Sequence, residues 1–370
     1  MPQPRYPRYS YIVQNVSHHP LRDFLFLSAT VSLLAFRMKF SYLLPALLAL
    51  SSHALPSPPA ENVELQTRAD ASLVGYLGVF FLGSAPNVYF YLSNGNNAFS
   101  YKALKGGSPI LDPSLGTGGV RDPSIVSGGG SEAGKKWYII GTDLDIGKTT
   151  WDAAQRKGSL SIYIWESTDL INWGTERLVK VENNDAGMVW APDAIWDSSR
   201  GQYLVHWASK FYSSSDSSHT GTPGPDIIRY AYTSDFRTFS SPQTLISAGK
   251  TSIIDLAYVQ LGSNSYARFL KNESATNVYM ERSDTGLFGT WTRPGGGTTF
   301  IHSQVEGPYA WKDNAIEGRV NLLLDCKLIH ICPACLGFGS EEEFSVDGRA
   351  KADSMQTLEA MGTDHSQAQI

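Results

Sequence analysis

Four acidic residues lie in similar places of a repeated sequence pattern, and their side chains are the ones best suited to do chemistry. Asp122, Asp193, Asp255 and Glu306 each lie at or near the start of a strand-like segment. Two carboxyl groups on opposite sides of a small polar substrate can support glycoside hydrolysis: one donates a proton to the leaving oxygen, and the other activates water or attacks the sugar. A metal site built from the same acids is the alternative, but no His accompanies them at the strand starts.

The elements that must position these acids form a repeat in the middle of the chain. Each copy contains a strand, a turn that begins with Ser, and an aromatic residue a few positions later. The four turns begin at Ser93, Ser167, Ser234 and Ser283. The unequal spacing of these serines suits four-stranded propeller blades with loop insertions better than a solenoid of fixed repeat length.

Four predicted blades start with a strand marked by Pro or by an acidic residue. We number them 1 to 4 by these first strands, which span residues 121–126, 190–196, 253–259 and 305–311. Because the first strand of every propeller blade lines the central axis, acids near its start converge at one end of the channel. The fold class predicted from the sequence is therefore all-β, a five-bladed β-propeller.

The fifth predicted blade consists of strands between residues 76 and 104, and its inner strand must come from elsewhere in the chain. The propeller pattern stops at Asp325. We therefore expect blade 4 to lack its outer two strands, blade 5 to lack its inner strand, and residues 326–370 to be a disordered tail outside the propeller. Open sheet edges and uncovered apolar faces would lower the stability or activity of this chain.

The N-terminal region carries a pattern typical of secretion. Met38 and Lys39 precede an apolar segment, and Ser52-His53-Ala54 fits a small-x-small cleavage site. We therefore predict a doubtful extension at 1–37, a signal peptide at 38–54, a linker at 55–73 and a catalytic propeller at 74–325. A single signal-anchor from residue 24 to 50 is the alternative, which Arg37 and Lys39 disfavour. The expected location is extracellular.

Composition excludes several classes of partner. Thirty Lys and Arg against 35 Asp and Glu give a net charge of -5, which argues against nucleic acid as the main partner. No apolar stretch reaches the roughly 20 residues of a membrane span. Cys332 and Cys335 have no second pair at zinc-ligand spacing, so we interpret them as incidental thiols.

On these residues the sequence resembles glycoside hydrolase family 43, the five-bladed propeller enzymes that act on arabinose- and xylose-containing polysaccharides. The resemblance covers roughly residues 75–325. The matching motifs are Gly119-Val-Arg-Asp122-Pro, Trp190-Ala-Pro-Asp193, Ile254-Asp255 and Val305-Glu306-Gly-Pro308. It implies Asp122 as the general base, Glu306 as the general acid and Asp255 as the third carboxylate, which orients the acid and raises its pKa. It also implies inversion at the anomeric carbon.

The resemblance further implies a substrate class. Trp190, Asp193, Trp165 and Arg121 are the candidate substrate-binding residues. We expect an exo-acting enzyme that releases L-arabinofuranose from plant cell-wall arabinan or arabinoxylan. A β-xylosidase of the same family and a non-catalytic carbohydrate-binding propeller are the alternatives. No cofactor is expected to be required, a structural calcium ion at the propeller centre is compatible with the family, and a monomer without nucleic-acid or membrane partners is expected.

Overall fold

The structure is a computed structural model, and it describes residues 11–17, 73–325 and 327–331, with side chains for 73–325. These residues belong to one compact unit. The signal peptide predicted at 38–54, the linker up to residue 72 and the three cysteines lie outside the described residues. A helix long and apolar enough to cross a membrane does not occur in the described part of the chain, whose α-helix α1 spans Trp151–Arg156.

The described residues form 19 β-strands. In chain order they are β1 (Tyr11–Ser17), β2 (Leu73–Leu82), β3 (Ala85–Asn94), β4 (Asn97–Ala103), β5 (Val120–Ser127), β6 (Trp137–Asp143), β7 (Ser161–Ser167), β8 (Arg177–Lys180), β9 (Trp190–Asp197), β10 (Gln202–Ser209), β11 (Ile227–Thr233), β12 (Gln243–Ile246), β13 (Ile253–Gln260), β14 (Tyr266–Asn272), β15 (Asn277–Ser283), β16 (His302–Ser303), β17 (Tyr309–Lys312), β18 (Val320–Leu324) and β19 (Lys327–Ile331).

These strands pair antiparallel in sheets that we number as the predicted blades. Sheet 1 contains β5–β8, sheet 2 β9–β12, sheet 3 β13–β16, sheet 4 β17–β19 and sheet 5 β1–β4. Each sheet contacts the next through its inner strand, and sheets 4 and 5 meet through β17 and β1. The architecture is an all-β propeller.

A separate hydrophobic cluster lies between each pair of neighbouring sheets. Between sheets 1 and 2, for example, Ile140 and Ile164 pack against Val205 and Trp207, and between sheets 3 and 4 Phe269 packs with Leu322. The other three clusters join sheets 2 and 3, sheets 5 and 1, and sheets 4 and 5. Successive side chains of a strand point to opposite faces of its sheet. A strand with β-branched or aromatic residues on both faces therefore packs into two such clusters.

The repeated Ser-Asp sequence forms a turn at the outer part of sheets 1 and 2. In sheet 1, the Asp169 side chain accepts hydrogen bonds from the backbone N–H groups of Ile171 at 2.9 Å and Asn172 at 2.7 Å. In sheet 2, Asp235 accepts from the N–H groups of Arg237 at 2.8 Å and Thr238 at 2.9 Å. This is the local bonding that favours Asp in turns. The motif therefore has a structural role, and its spacing is a signature of the propeller.

The prediction of incomplete blades needs correction at both ends of the chain. Tyr11–Ser17, expected to lie in a doubtful extension, pairs along β2 and provides the inner strand of sheet 5. Lys327–Ile331, expected to begin a disordered tail, pairs with β18 and gives sheet 4 a third strand. Both segments have the β-branched residues of a strand former, and each pairs with an otherwise open sheet edge. Among the described strands, sheet 4 is thus short by one strand instead of two.

Removing the N-terminal strand should weaken the propeller. We expect deletion of residues 1–17 to lower Tm by roughly 5 °C or more, because each kcal/mol of lost stability shifts Tm by about 2–4 °C in a domain of this size. Deletion of residues 1–10, which keeps Tyr11–Ser17, is the control, and thermal unfolding is the measurement. Equal Tm values for both deletions would contradict the pairing. Cleavage at Ala54 would also separate this strand from the rest of the chain.

His206 makes the folded state sensitive to acid. Its side chain is 0% exposed in β10, and neither ring nitrogen has a hydrogen-bond partner among the described residues. Burial lowers the pKa of His206 to about 3. An unfolded His titrates near 6.5, so the unfolded state binds the proton first as the pH falls. At pH 4.5 this group alone costs about 2.7 kcal/mol of stability, since each pH unit below 6.5 contributes about 1.36 kcal/mol.

We therefore expect His206→Leu to flatten the fall of Tm between pH 6.5 and pH 4.5. His302→Leu, which replaces a half-buried His, is the control and should leave that fall unchanged. The measurement is thermal unfolding as a function of pH. An unaltered pH dependence in His206→Leu would show that this histidine does not remain neutral in the folded protein.

Candidate active site

The inner strands of sheets 1, 2 and 3 share an irregularity that directs side chains toward the axis. The pairing register shifts within each strand, and one residue at each shift has a left-handed backbone: Asp122 with φ 46°, Ala191 with φ 47° and Asp255 with φ 53°. A bulge of this kind changes the direction of a side chain. A positive φ is costly for a residue other than glycine, and such strain is concentrated at functional sites.

Sheet 4 follows the same pattern with glycine at the left-handed position. Gly307 has φ 60°, and Pro308 follows it as Pro123 follows Asp122. Glu306 therefore corresponds to the residue before the bulge, the position of Arg121 in sheet 1. Asp193 comes two residues after the left-handed Ala191. The expectation that the four acids lie in comparable places is corrected: they occupy three different positions of the repeat.

Despite these different positions, the three predicted catalytic acids line one cleft. Asp122 comes from sheet 1, Asp255 from sheet 3 and Glu306 from the segment leading into sheet 4. The cleft has a volume of about 410 Å³ including its opening to solvent. Its wall is formed by Arg121, Asp122, Leu144, Trp151, Trp190, Ile254, Asp255, Glu306 and Asp325.

Thr142 orients the Asp122 carboxylate. The Thr142 hydroxyl donates a hydrogen bond to Asp122 Oδ2 at 3.1 Å and accepts one from the Ala191 N–H at 2.8 Å. Since the hydroxyl oxygen accepts from the backbone, its single proton points to the carboxylate. Asp122 is thus held by sheets 1 and 2 together, as a group whose Oδ2 acts as an acceptor.

Asp255 is the acid whose environment most favours its neutral form. Burial raises the pKa of Asp255 to about 7, with the negative charges of Glu306 and Asp122 acting in the same direction. The Lys271 ammonium and the Gly307 N–H, which donates to Asp255 Oδ2 at 3.2 Å, oppose this shift. Carboxyl groups that share a buried site cannot all ionise at once without a large electrostatic cost. Asp255 can therefore hold a proton near neutral pH.

Glu306 is paired with a buried lysine. The Lys271 Nζ donates to Glu306 Oε2 and also contacts Glu273 Oε2 at 2.5 Å. The Lys271 side chain is 6% exposed. Burial alone would lower the pKa of Lys271, but the negative charges of Asp255, Glu306 and Glu273 outweigh it and the net shift is upward. Lys271 is therefore a permanent cation behind the acids.

Arg121, Trp151 and Trp190 form an aromatic wall in the same cleft as the acids. The Arg121 guanidinium carbon lies 4.7 Å from the centre of the Phe81 ring and 5.4 Å from that of Trp151. The Trp151 ring meets Trp190 edge to face at 6.0 Å. Cation–π contacts and edge packing hold these groups rigidly. Arg121 and Trp190 lie in the cleft, where a sugar could contact them.

Two of the predicted substrate-binding residues do not line this cleft. Trp165 is 3% exposed and packs in the cluster between sheets 5 and 1, stacked on Tyr163 at 5.3 Å, so its assignment is corrected to the core. Asp193 lines an adjoining cavity, together with Asp122 and Asp255. It accepts hydrogen bonds from Ser124 Oγ and the Ala194 N–H, and burial raises its pKa to about 6.

The donor set at the axis does not match a metal centre. Across residues 73–325, where side chains are described, no group of three or more His, Cys, Asp or Glu is placed to hold a metal ion. The axial acids are instead engaged by Ser124, Thr142, Gly307 and Lys271. In this described part of the chain the axial side chains therefore form no cluster of carboxylate or imidazole ligands for calcium.

Sequence reasoning missed several groups of the site, and a positional rule could have found two of them. Thr142 pairs with Arg121 in the ladder of sheet 1, and Lys271 pairs with Ile254 in sheet 3. Both are therefore opposite the residue that precedes a bulged Asp. A polar side chain on the second strand of a blade, opposite the residue before the bulge, can therefore contact an acid of the cleft. Trp151 begins α1, while Leu144 and Asp325 directly follow β6 and β18. The repeat gives no such rule for these positions.

Comparison with known families agrees with this architecture. A glycosyl hydrolase family 43-related model, described as "Probable glycosyl hydrolase domain", matches residues 71–332. The match covers most of the chain and contains all three predicted catalytic acids. The chain belongs to this glycosyl hydrolase family 43-related family.

Individual relatives have low sequence identity to this chain or match only part of it. An alpha-L-arabinofuranosidase of Bifidobacterium longum is 31% identical over 209 residues, which are 51% of this chain and 19% of that enzyme. The chain thus spans about a fifth of the length of this curated relative. Among solved structures, an alpha-L-arabinanase of Penicillium chrysogenum has 12% identity and a TM-score of 0.46 over 76% of this chain and 82% of that one. An alpha-L-arabinofuranosidase of Lactobacillus brevis has 11% identity and a TM-score of 0.44, with 68% and 79% covered.

Proposed function

We propose that this glycosyl hydrolase is an inverting, exo-acting α-L-arabinofuranosidase that trims arabinan or arabinoxylan of plant cell walls. The observation that carries the proposal is the convergence of Asp122 from sheet 1, Asp255 from sheet 3 and Glu306 from the segment before sheet 4 on one cleft. Arg121 and Trp190 line the same cleft. A lectin has no need of three converging acids. The arabinofuranosidase activity named for the Bifidobacterium relative supports the choice of pentose.

In this mechanism Asp122 is the general base. Thr142 holds its carboxylate as an acceptor, which suits a group that takes a proton from water. Glu306 is the general acid that protonates the leaving oxygen, and Asp255 orients it through the Gly307 N–H next to it. An inverting enzyme needs room for a water molecule between its base and the sugar, and the cleft opens to solvent.

The β-xylosidase alternative differs only in the pentose. Specificity among pentoses depends on a few pocket contacts, and the Arg121, Trp151 and Trp190 wall is where they would be made. A non-catalytic carbohydrate-binding propeller is the second alternative, in which the same wall would bind sugar without turnover.

The decisive experiment compares substrates and products. p-Nitrophenyl α-L-arabinofuranoside and β-D-xyloside separate the two pentose specificities. Linear arabinan and arabinoxylan then separate exo from endo action, because an exo-enzyme releases free arabinose without oligomers. If neither aryl glycoside and neither polymer is hydrolysed but calorimetry still detects sugar binding, the protein is a non-catalytic carbohydrate-binding propeller.

Further parts of the proposal concern the whole protein. We propose five blades in a ring, of which blade 4 is incomplete, with a monomeric and secreted enzyme. The chain of sheet contacts from sheet 1 through sheet 5 and back supports the ring. The small-x-small pattern at Ser52–Ala54 supports secretion, and cleavage there would leave blade 5 of the secreted enzyme without a covalently attached Tyr11–Ser17 strand. Sedimentation analysis and intact-mass measurement of secreted protein test the last two points.

A further inference from the structure

Lys271 is buried, and a buried lysine requires a specific interaction to stabilise its charge. It belongs to β14, the second strand of sheet 3, and pairs with Ile254, directly before Asp255. Its neighbours in the strand, Phe269 and Leu270, are fully buried. A buried ammonium is costly unless charged partners compensate it. Lys271 has such partners in Glu306 and Glu273, one inside the cleft wall and one at the end of its own strand.

Lys271 lies behind the wall of the cleft and does not line it. Glu306 and Asp255 line the cavity wall, whereas Lys271 does not. Its ammonium reaches the Glu306 carboxylate from the protein side, while the Gly307 N–H ties the next residue to Asp255. A sugar in the cleft would contact the acids, and Lys271 would act on the reaction only through them.

The contact between Lys271 and Glu306 affects the ionisation of the acids, because Lys271 is one of few cations among the surrounding ionisable groups. The ionisable groups around the Asp255–Glu306 pair are Asp122 and Arg121 of β5, Lys271 of β14, Glu273 after β14 and Asp325 after β18, with Asp193 of β9 and Tyr309 of β17 in the adjoining cavity. Most of these groups are acids. A cation in hydrogen-bonding contact with a carboxylate favours its ionised form, by about 1–3 pKa units for a close partner.

We propose that Lys271 is a positioning residue that fixes the Glu306 carboxylate and sets the pH at which the Asp255–Glu306 pair becomes fully ionised. The proposal rests on the proposed function, because the pair must hold a proton for acid catalysis. Without the ammonium, the pair keeps its proton to higher pH and Glu306 loses a fixed orientation. The prediction is stated for the pair, because the negative charge of Glu306 acts on Asp255 and interacting carboxyls lose protons in steps that belong to the pair.

The test compares Lys271→Met, which removes the charge at similar length, with Lys271→Arg, which keeps it. We expect the basic limb of the kcat/KM profile to move to higher pH by about one unit or more in Lys271→Met and to stay in place in Lys271→Arg. We expect kcat/KM at the optimum to fall about 10-fold to 100-fold in Lys271→Met, because Glu306 is misplaced. An unmoved basic limb in Lys271→Met would overturn the proposal.

A second measurement does not depend on turnover. Isotope-edited infrared titration of the carboxyl groups, with Asp255→Asn to assign the signal, should show the pair titrating at higher pH in Lys271→Met than in the natural protein. The same titration in both would overturn the proposal, even for a protein that hydrolyses no arabinoside. Lys210→Met is the matched control, since it removes another largely buried lysine, 3.4 Å from Asp226 and outside the cleft. If Lys271→Met does not fold, Lys271→Gln serves the same comparison.

Discussion

Replacing Glu306 by Gln is expected to reduce kcat/KM on arabinan by about 100-fold to 10,000-fold, the usual contribution of a general acid. Gln cannot donate a proton to the leaving oxygen, although it preserves the shape of the side chain. The loss should be much smaller on p-nitrophenyl arabinofuranoside, because nitrophenolate departs without protonation. Asp122→Asn should lose activity to a similar degree on both substrates, since water activation is needed whatever the leaving group is.

The activities of the variants on arabinan and on p-nitrophenyl arabinofuranoside distinguish the general acid from the general base. Asp284→Asn removes a carboxylate that is 47% exposed on sheet 3, away from the cleft, and should leave both rates unchanged. Steady-state kinetics of the four proteins gives the comparison, with thermal unfolding to show that each is folded. Full activity in Asp122→Asn or Glu306→Gln would remove that residue from the mechanism. Equal losses of Glu306→Gln on both substrates would instead argue against its role as the acid.

The repeat in the sequence was sufficient to predict the propeller and the meeting of its acids. Ser-Asp turns and Pro-marked inner strands recur because each blade solves the same packing problem, so symmetry relates distant positions. The structure accordingly brings Asp122, Asp255 and Glu306 into one cleft. The prediction failed for Trp165, because this residue lies on β7, the third strand of sheet 1, and its ring is buried in the cluster between sheets 5 and 1.

Other features could not follow from the local pattern. The strand that completes sheet 5, Tyr11–Ser17, is far from the rest of its sheet in sequence, and a strand without flanking repeat signals looks like any β-branched segment. Lys271 lies at the end of a second strand, whereas the motifs that marked the acids lie at the first strands of the blades. Its role emerges only from the register of sheet 3, which places it beside Ile254, and from the contact of its ammonium with Glu306.

The largest stability effect is expected at a buried ion pair between sheets 1 and 2. The Glu182 side chain is 0% exposed, and Arg229 contacts both of its carboxylate oxygens, at 2.8 Å through Nε and at 3.3 Å through Nη2. Trp207 Nε1 donates to the same carboxylate at 3.2 Å. Arg229→Met leaves this carboxylate buried without its cation. Such a loss costs about 3–5 kcal/mol, a large part of a total stability of roughly 5–15 kcal/mol.

A double-mutant cycle in denaturant tests this expectation. The double variant Glu182→Leu with Arg229→Met should be more stable than Arg229→Met alone, since it removes the orphaned charge together with its partner. Arg282→Met breaks the more exposed pair with Asp284, at 2.9 Å, and should cost less than about 1 kcal/mol. If Arg229→Met costs no more than Arg282→Met, water must reach Glu182 in the folded protein. The contact between sheets 1 and 2 would then be looser than the packing of Val205 and Trp207 indicates.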